Sequence, residues 1–129
     1  MARILIADDS KVIRELLKHY LGAMGHSILV AEDGVVGFNC FVEERANIDF
    51  IVSDLNMPRL DGIAMIRKIK EHCESVPGRS LPPIMALTAQ TDPKLKEEGK
   101  SIGVVAWMNK PIDESAFKGV VNLILEKYK

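Results

Sequence analysis

Three aspartates, a threonine and a lysine stand where short apolar runs give way to polar sequence. The run 4–7 (ILIA) leads into Asp8-Asp9, 49–53 (DFIVS) into Asp54, 84–87 (IMAL) into Thr88-Ala89, and 104–108 (VVAWM) into Asn109-Lys110-Pro111. Taken singly, an aspartate in such a place is a turn former or a helix cap. Taken together, these groups make a chemical set. Carboxylates crowded in one place repel one another, which raises their pKa and works against folding. One lysine offsets part of that repulsion. A hard divalent cation offsets more, and Mg²⁺ takes one or two carboxylates, carbonyl oxygens and several waters. A cation beside a carboxylate, with an ammonium and a hydroxyl in reach, is equipment for phosphoryl transfer. Cation and lysine neutralise charge on the moving phosphoryl oxygens while the carboxylate attacks phosphorus.

Such a set works only if the chain brings it together, and the pattern between the runs does so. Ser10 can cap a first helix with a 3.6-residue stripe of Val12, Ile13, Leu16, Leu17, Tyr20, Leu21 and Met24, ended by Gly25. Residues 27–31 read as a second strand, and Asp33-Gly34 opens a helix with Phe38, Phe41, Val42 and Ala46 along one side. Asp61 caps a third helix carrying Ile63, Ile66, Ile69 and Cys73, and residues 76–83 form a loop. Asp92-Pro93 has the cap-then-proline order that starts a helix. That fourth helix is the weakest, with Leu95 as its clear apolar anchor and Gly99 lowering its propensity. Asp113 caps a last helix with Phe117, Val120, Val121, Ile124 and Tyr128 facing inward.

Five strand-then-helix repeats with nearly continuous apolar strands predict a parallel sheet covered on both faces. Right-handed crossovers make it a doubly wound α/β fold. In such a sheet ligands bind outside the carboxyl ends of the strands, near the point where strand order reverses. That is where the polar strand ends converge.

Composition narrows the function. The 129 residues are 47% hydrophobic and 27% charged, which fits one soluble domain over residues 1–129. A formal net charge of -1 offers no basic stripe for nucleic acid. Cys40 and Cys73 have no metal or redox spacing and read as reduced thiols. No run approaches the ~18 apolar residues of a membrane span, and no signal peptide is evident, so a cytoplasmic location is expected. His19, His26 and His72 read as solvated surface, and Met24, Met57, Met65, Met85 and Met108 as packing residues. The remaining acids, Asp33, Asp49, Asp61, Asp92 and Asp113, are explained by capping.

The combination of Asp8-Asp9, Ser53-Asp54-Leu55-Asn56-Met57-Pro58, Asp61-Gly62, Thr88-Ala89 and Lys110-Pro111 resembles the receiver domain of two-component response regulators over the whole chain. Within that family it most resembles the stand-alone, chemotaxis type. The resemblance implies a flavodoxin-like sheet with strand order 2-1-3-4-5 and five helices. It implies that Asp54 accepts a phosphoryl group from a histidine kinase and that Asp9 binds Mg²⁺ directly, with Mn²⁺ able to substitute. Asp8 would act through water, Asn56 through its backbone carbonyl, and Asp54 as a further metal ligand. Lys110 and Thr88 would contact the phosphoryl group, Ala89 and Met57 would line its site, and Lys110-Pro111 would be cis. Thr88 and Trp107 would form the switch, Trp107 standing where tyrosine or phenylalanine is commoner. Gln90 and Asn56 would set the lifetime of the phosphoryl group. The output would be a switched face of helix four, strand five and helix five. It would bind a protein partner such as a flagellar motor or other signalling protein, with a phosphatase as a further partner and the chain itself a monomer. Such a protein catalyses only its own phosphorylation and dephosphorylation.

Within the family, a phosphate sink or a relay intermediate is the alternative role. A haloacid-dehalogenase-type phosphatase shares the aspartate, Mg²⁺, Thr and Lys, but needs a second Asp two residues beyond the nucleophile, where this chain has Asn56. A flavodoxin-like cofactor binder would need a hydroxyl-rich loop after strand one, where Asp8-Asp9 would repel a phosphate. GxGxxG and P-loop motifs are absent.

Overall fold

The computed structural model describes residues 1–43, 47–78, 80–89 and 93–128. Ala46, Gln90 and Asp92, each given a role above, lie outside the described residues. The chain alternates β1 (Arg3–Ala7), α1 (Lys11–Ala23), β2 (Ser27–Ala31), α2 (Gly34–Glu43), β3 (Phe50–Asp54), α3 (Gly62–Ser75), β4 (Ile84–Thr88), α4 (Pro93–Ser101), β5 (Val104–Asn109) and α5 (Glu114–Lys127). The sheet order is β2-β1-β3-β4-β5, every pairing parallel. Sequence order reverses between β1 and β3, so the ends of those strands flank the crevice where a doubly wound sheet holds its ligand.

The period of two along each strand divides the core between the faces. Leu5, Ala7, Ile51, Ile84 and Ala86 pack with Met65, Ile66 and Ile69 of α3 and Phe41 of α2. Ile4, Ile6, Phe50, Val52, Met85 and Leu87 pack with Leu17 and Leu21 of α1 and with Phe117, Val121 and Ile124 of α5. The central strands β3 and β4 are buried throughout, as their unbroken apolar runs require, while the edge strands β2 and β5 are only partly covered.

Helix ends follow the caps read from sequence. Ser10 Oγ accepts from Ile13 N–H at 3.3 Å, Asp61 Oδ1 from Ala64 at 2.8 Å, and Asp113 Oδ2 from Ala116 at 2.8 Å. Gly25 takes φ +86 just beyond the end of α1. Other expectations are corrected. Tyr128 is 45% exposed, because it lies past the last turn of α5. Asp49 caps no helix; its carboxylate accepts from Arg3 N–H at 2.9 Å and ties the entry of β3 to β1.

Two histidines are less solvated than their sequence context suggests. His72 is half-buried, edge-on to Phe38 and Phe41. Half-buried His26 accepts a hydrogen bond at Nδ1 from Ala2 N–H at 3.0 Å. Burial first, then the positive N-terminus, holds its pKa below the ordinary 6.5. The folded protein therefore favours neutral His26. Its contribution is complete above the unfolded pKa and is lost as pH falls from there through the lowered folded pKa. Loss of that hydrogen bond is worth about 1 kcal/mol. His26→Asn is accordingly expected to flatten the fall in stability between neutral and mildly acidic pH in urea titrations. Identical profiles for the two proteins would assign that fall to other groups.

Candidate functional site

Sequence separation does not keep the acidic groups apart. β1 and β3 pair in parallel, so Asp8 and Asp9, just beyond β1, lie beside Asp54 at the end of β3. Each of the three offers a carboxylate oxygen within 4.8 Å of the others. Asp8 is fully buried and Asp54 nearly so, whereas Asp9 is exposed. Lys110 reaches in from the end of β5 and bridges the buried pair, Nζ lying 3.0 Å from Asp8 Oδ2 and 3.1 Å from Asp54 Oδ2. Backbone amides take the other oxygens. Ser10 N–H donates to Asp8 Oδ1 at 2.8 Å, and Asn56 N–H to Asp54 Oδ1 at 3.2 Å.

The electrostatics follow from this packing. Burial pushes the Asp54 carboxyl up, the Asn56 amide pulls it back, the Asp8 charge adds to the rise and Lys110 opposes it; the net shift is upward. For Lys110 burial works to lower the pKa. The hydrogen bonds and negative charges of Asp8 and Asp54 outweigh it, so the ammonium titrates above its usual range.

The remaining expected residues fall around this centre. Thr88 ends β4 as a buried side chain, and its carbonyl accepts from Lys110 N–H at 2.9 Å, joining the ends of β4 and β5. Ala89 is exposed beside it. Met57 is buried in the core under α2 and α3, and Asn56 is exposed in the loop between β3 and α3. The Lys110-Pro111 peptide is cis. Trp107 lies half-buried on the α4 side of β5.

Three supports are given no role by sequence spacing. Arg14, one turn into α1, donates from a guanidinium nitrogen to the Asp8 carbonyl at 2.7 Å and so fixes the peptide that joins the two acids. Arg59, at φ 65, forms an ion pair with buried Asp33 at 2.9 Å, tying the β3–α3 loop to the start of α2. The third is the closeness of Gly62, the second residue of Asp61-Gly62, to β3: a Cβ there would fall on the Asp54 carbonyl oxygen and lie 2.8 Å from Leu55 Cα. Backbone on both sides must then move, so Gly62→Ala is expected to cost about 3 kcal/mol in urea denaturation. A wild-type midpoint would show that the loop yields freely.

The oxygen donors fit a hard divalent cation. Asp8, Asp9 and Asp54 each offer a carboxylate oxygen, the donor type that such a cation prefers. Residues 4–122 match the response regulator receiver domain family. The chain belongs to that family. Among solved structures it is similar to the chemotaxis response regulator CheY4 of Vibrio cholerae, at 30% identity with a TM-score of 0.85, covering 96% of this chain and 98% of that one. It is likewise similar to the receiver domain of the Francisella response regulator 1452, at 28% identity and a TM-score of 0.83, with full coverage of both. Among curated proteins, the sensor histidine kinase RcsC of Escherichia coli is 30% identical over 126 residues, 98% of this chain but 12% of RcsC. The response regulator MprA of a Mycobacterium species is 32% identical over 109 residues, 84% of this chain and 44% of MprA. The receiver thus spans less than half the length of these curated relatives. It is a two-component signalling domain of a family that typically binds Mg²⁺. Among the described residues no helix is long and apolar enough to cross a membrane.

Proposed function

We propose that residues 1–129 act as one phosphorylation-driven switch with Asp54 as the phosphoryl acceptor. The observation that carries this reading is Lys110 Nζ, held within 3.1 Å of both Asp54 and Asp8 at the mouth of a parallel sheet. An Asp54 oxygen forms a bond to phosphorus as the bond from phosphorus to the donor histidine nitrogen breaks; the electron pair stays on the imidazole. Lys110 orients the attacking carboxylate and afterwards pairs with the new phosphoryl oxygens. Asp8, Asp9, Asp54 and the Asn56 carbonyl would hold Mg²⁺, which when bound supplies positive charge to the phosphoryl oxygens. Thr88, one strand away, donates its hydroxyl to the phosphoryl group. The added charge and acceptor oxygens draw Thr88 in, and Trp107 turns into the space left, altering the face of α4, β5 and α5. The protein thus exists in two forms whose populations phosphorylation shifts.

A histidine kinase is the donor, a protein partner reads the switched face, and a phosphatase resets it. Similarity to the chemotaxis response regulator of Vibrio cholerae favours a chemotaxis output. Incubation with acetyl phosphate and Mg²⁺ is expected to leave one hydroxylamine-labile phosphoryl group per chain. No uptake from acetyl phosphate or from a phosphohistidine donor would overturn the reading.

A further inference from the structure

The only buried residue of α4 is a glycine. A Cβ built at Gly99 would stand 2.5 Å from Cζ2 and 2.6 Å from Cη2 of Trp107, with Val104 Cγ2 at 3.4 Å. Carbon atoms in good contact keep about 3.5–4.0 Å apart, so the benzo edge of the indole occupies the volume that any other residue would fill. The absence of a side chain is costly in a helix, and α4 is poorly placed to bear the cost, being nine residues long with Leu95 its one apolar contact to the core. Gly119 of α5 is a useful contrast, because a Cβ there meets nothing. A second observation concerns the same ring. Trp107 Nε1 is buried and has no hydrogen-bond partner among the described residues. A buried donor without an acceptor is unfavourable, so among the described residues apolar packing, and no hydrogen bond of its Nε1, holds the indole where it lies.

We propose that Gly99 is the positioning residue of the switch: its missing side chain forms the notch that seats Trp107 in the unphosphorylated form and locks the ring to α4. This rests on the reading of Trp107 as the switch aromatic. Ring and helix meet at Gly99, so a shift of one displaces the other. A side chain at residue 99 unseats the ring, and the second form gains population before any phosphoryl group arrives.

Trp107 is the single tryptophan of the chain, so intrinsic emission reports on the notch directly. Beryllofluoride with Mg²⁺ stands in for the phosphoryl group. In Gly99→Ala the emission without beryllofluoride is expected to move toward that of the wild type saturated with it, and the beryllofluoride midpoint to fall about fivefold. Gly119→Ala is expected to match the wild type in both. Thermal melting supplies a second readout. In a Trp107→Phe background, whose shorter ring leaves the notch empty, Gly99→Ala is expected to raise the melting temperature by a few degrees, because alanine is the better helix former. In the wild-type background it is expected to lower it or to prevent folding. This reversal of sign holds even where the single variant does not fold. A wild type whose emission ignores beryllofluoride overturns the reading of Trp107 as the switch. A responsive wild type beside a Gly99→Ala protein with unchanged emission and midpoint overturns the notch alone, as does a melting shift of the same sign in both backgrounds.

Discussion

Asp54→Asn is expected to give a folded protein that takes up no phosphate. The side chains are the same size, and an asparagine at residue 54 can still accept from Asn56 N–H, which donates to Asp54 Oδ1 at 3.2 Å. Stability should hold or rise, because the change removes one of the two buried carboxylates that Lys110 bridges and with it the repulsion from Asp8. The chemistry does not survive. An amide oxygen carries no full charge to direct at phosphorus, and an acyl phosphate cannot form without a carboxylate. On incubation with acetyl phosphate and Mg²⁺ the wild type is expected to gain the mass of one phosphoryl group and the variant none. Uptake by the variant at the wild-type rate would place the nucleophile elsewhere and dismiss Asp54.

Sequence reached the centre of this site because each of its groups follows an apolar run, and three of the four runs are buried. Burial on both faces forces such a run into a parallel sheet, and a parallel sheet delivers the carboxyl ends of all its strands to one edge. Asp8, Asp54, Thr88 and Lys110 therefore needed only one-dimensional information. The supports around them did not reveal themselves in this way. Arg14 lies on a helix face whose spacing from Asp8 has no motif, yet it holds the Asp8 carbonyl. The contact of Gly99 with Trp107 joins two elements through a missing side chain, which leaves no mark in hydropathy. In periodicity Gly99 appears only as a defect of α4. Tyr128 failed for the opposite reason: the helical stripe continues to it in sequence, but the helix ends at Lys127 and the ring turns to solvent.

Lys110→Met should destabilise the protein strongly and in a way that a cation reverses. The ammonium is the only positive group paired with buried Asp8 and Asp54 among the described residues, at 3.0 and 3.1 Å. Methionine keeps much of the stem and removes the charge. Two buried carboxylates then remain without a positive partner, and removing one partner of a buried ion pair costs about 3–5 kcal/mol. The deficit should depend on pH in a defined direction. Burial already lifts Asp54 above the usual carboxylate range, with Lys110 opposing, so loss of the lysine lifts it further. A carboxyl with a raised folded pKa binds more protons folded than unfolded between its two pKa values. Stability therefore falls as pH rises through that window and stays low above it. The variant should be closest to wild type near pH 4 and furthest from it at neutral pH. A cation that binds the native acidic cluster and not the unfolded chain stabilises the fold, so under the proposed reading millimolar Mg²⁺ should restore part of the loss, increasingly with concentration. Urea titrations at pH 4 and 7, with and without Mg²⁺, test each step. A deficit equal at both pH values and indifferent to Mg²⁺ would mean that Lys110 acts through the packing of its stem, and that the acidic pair does not need its charge.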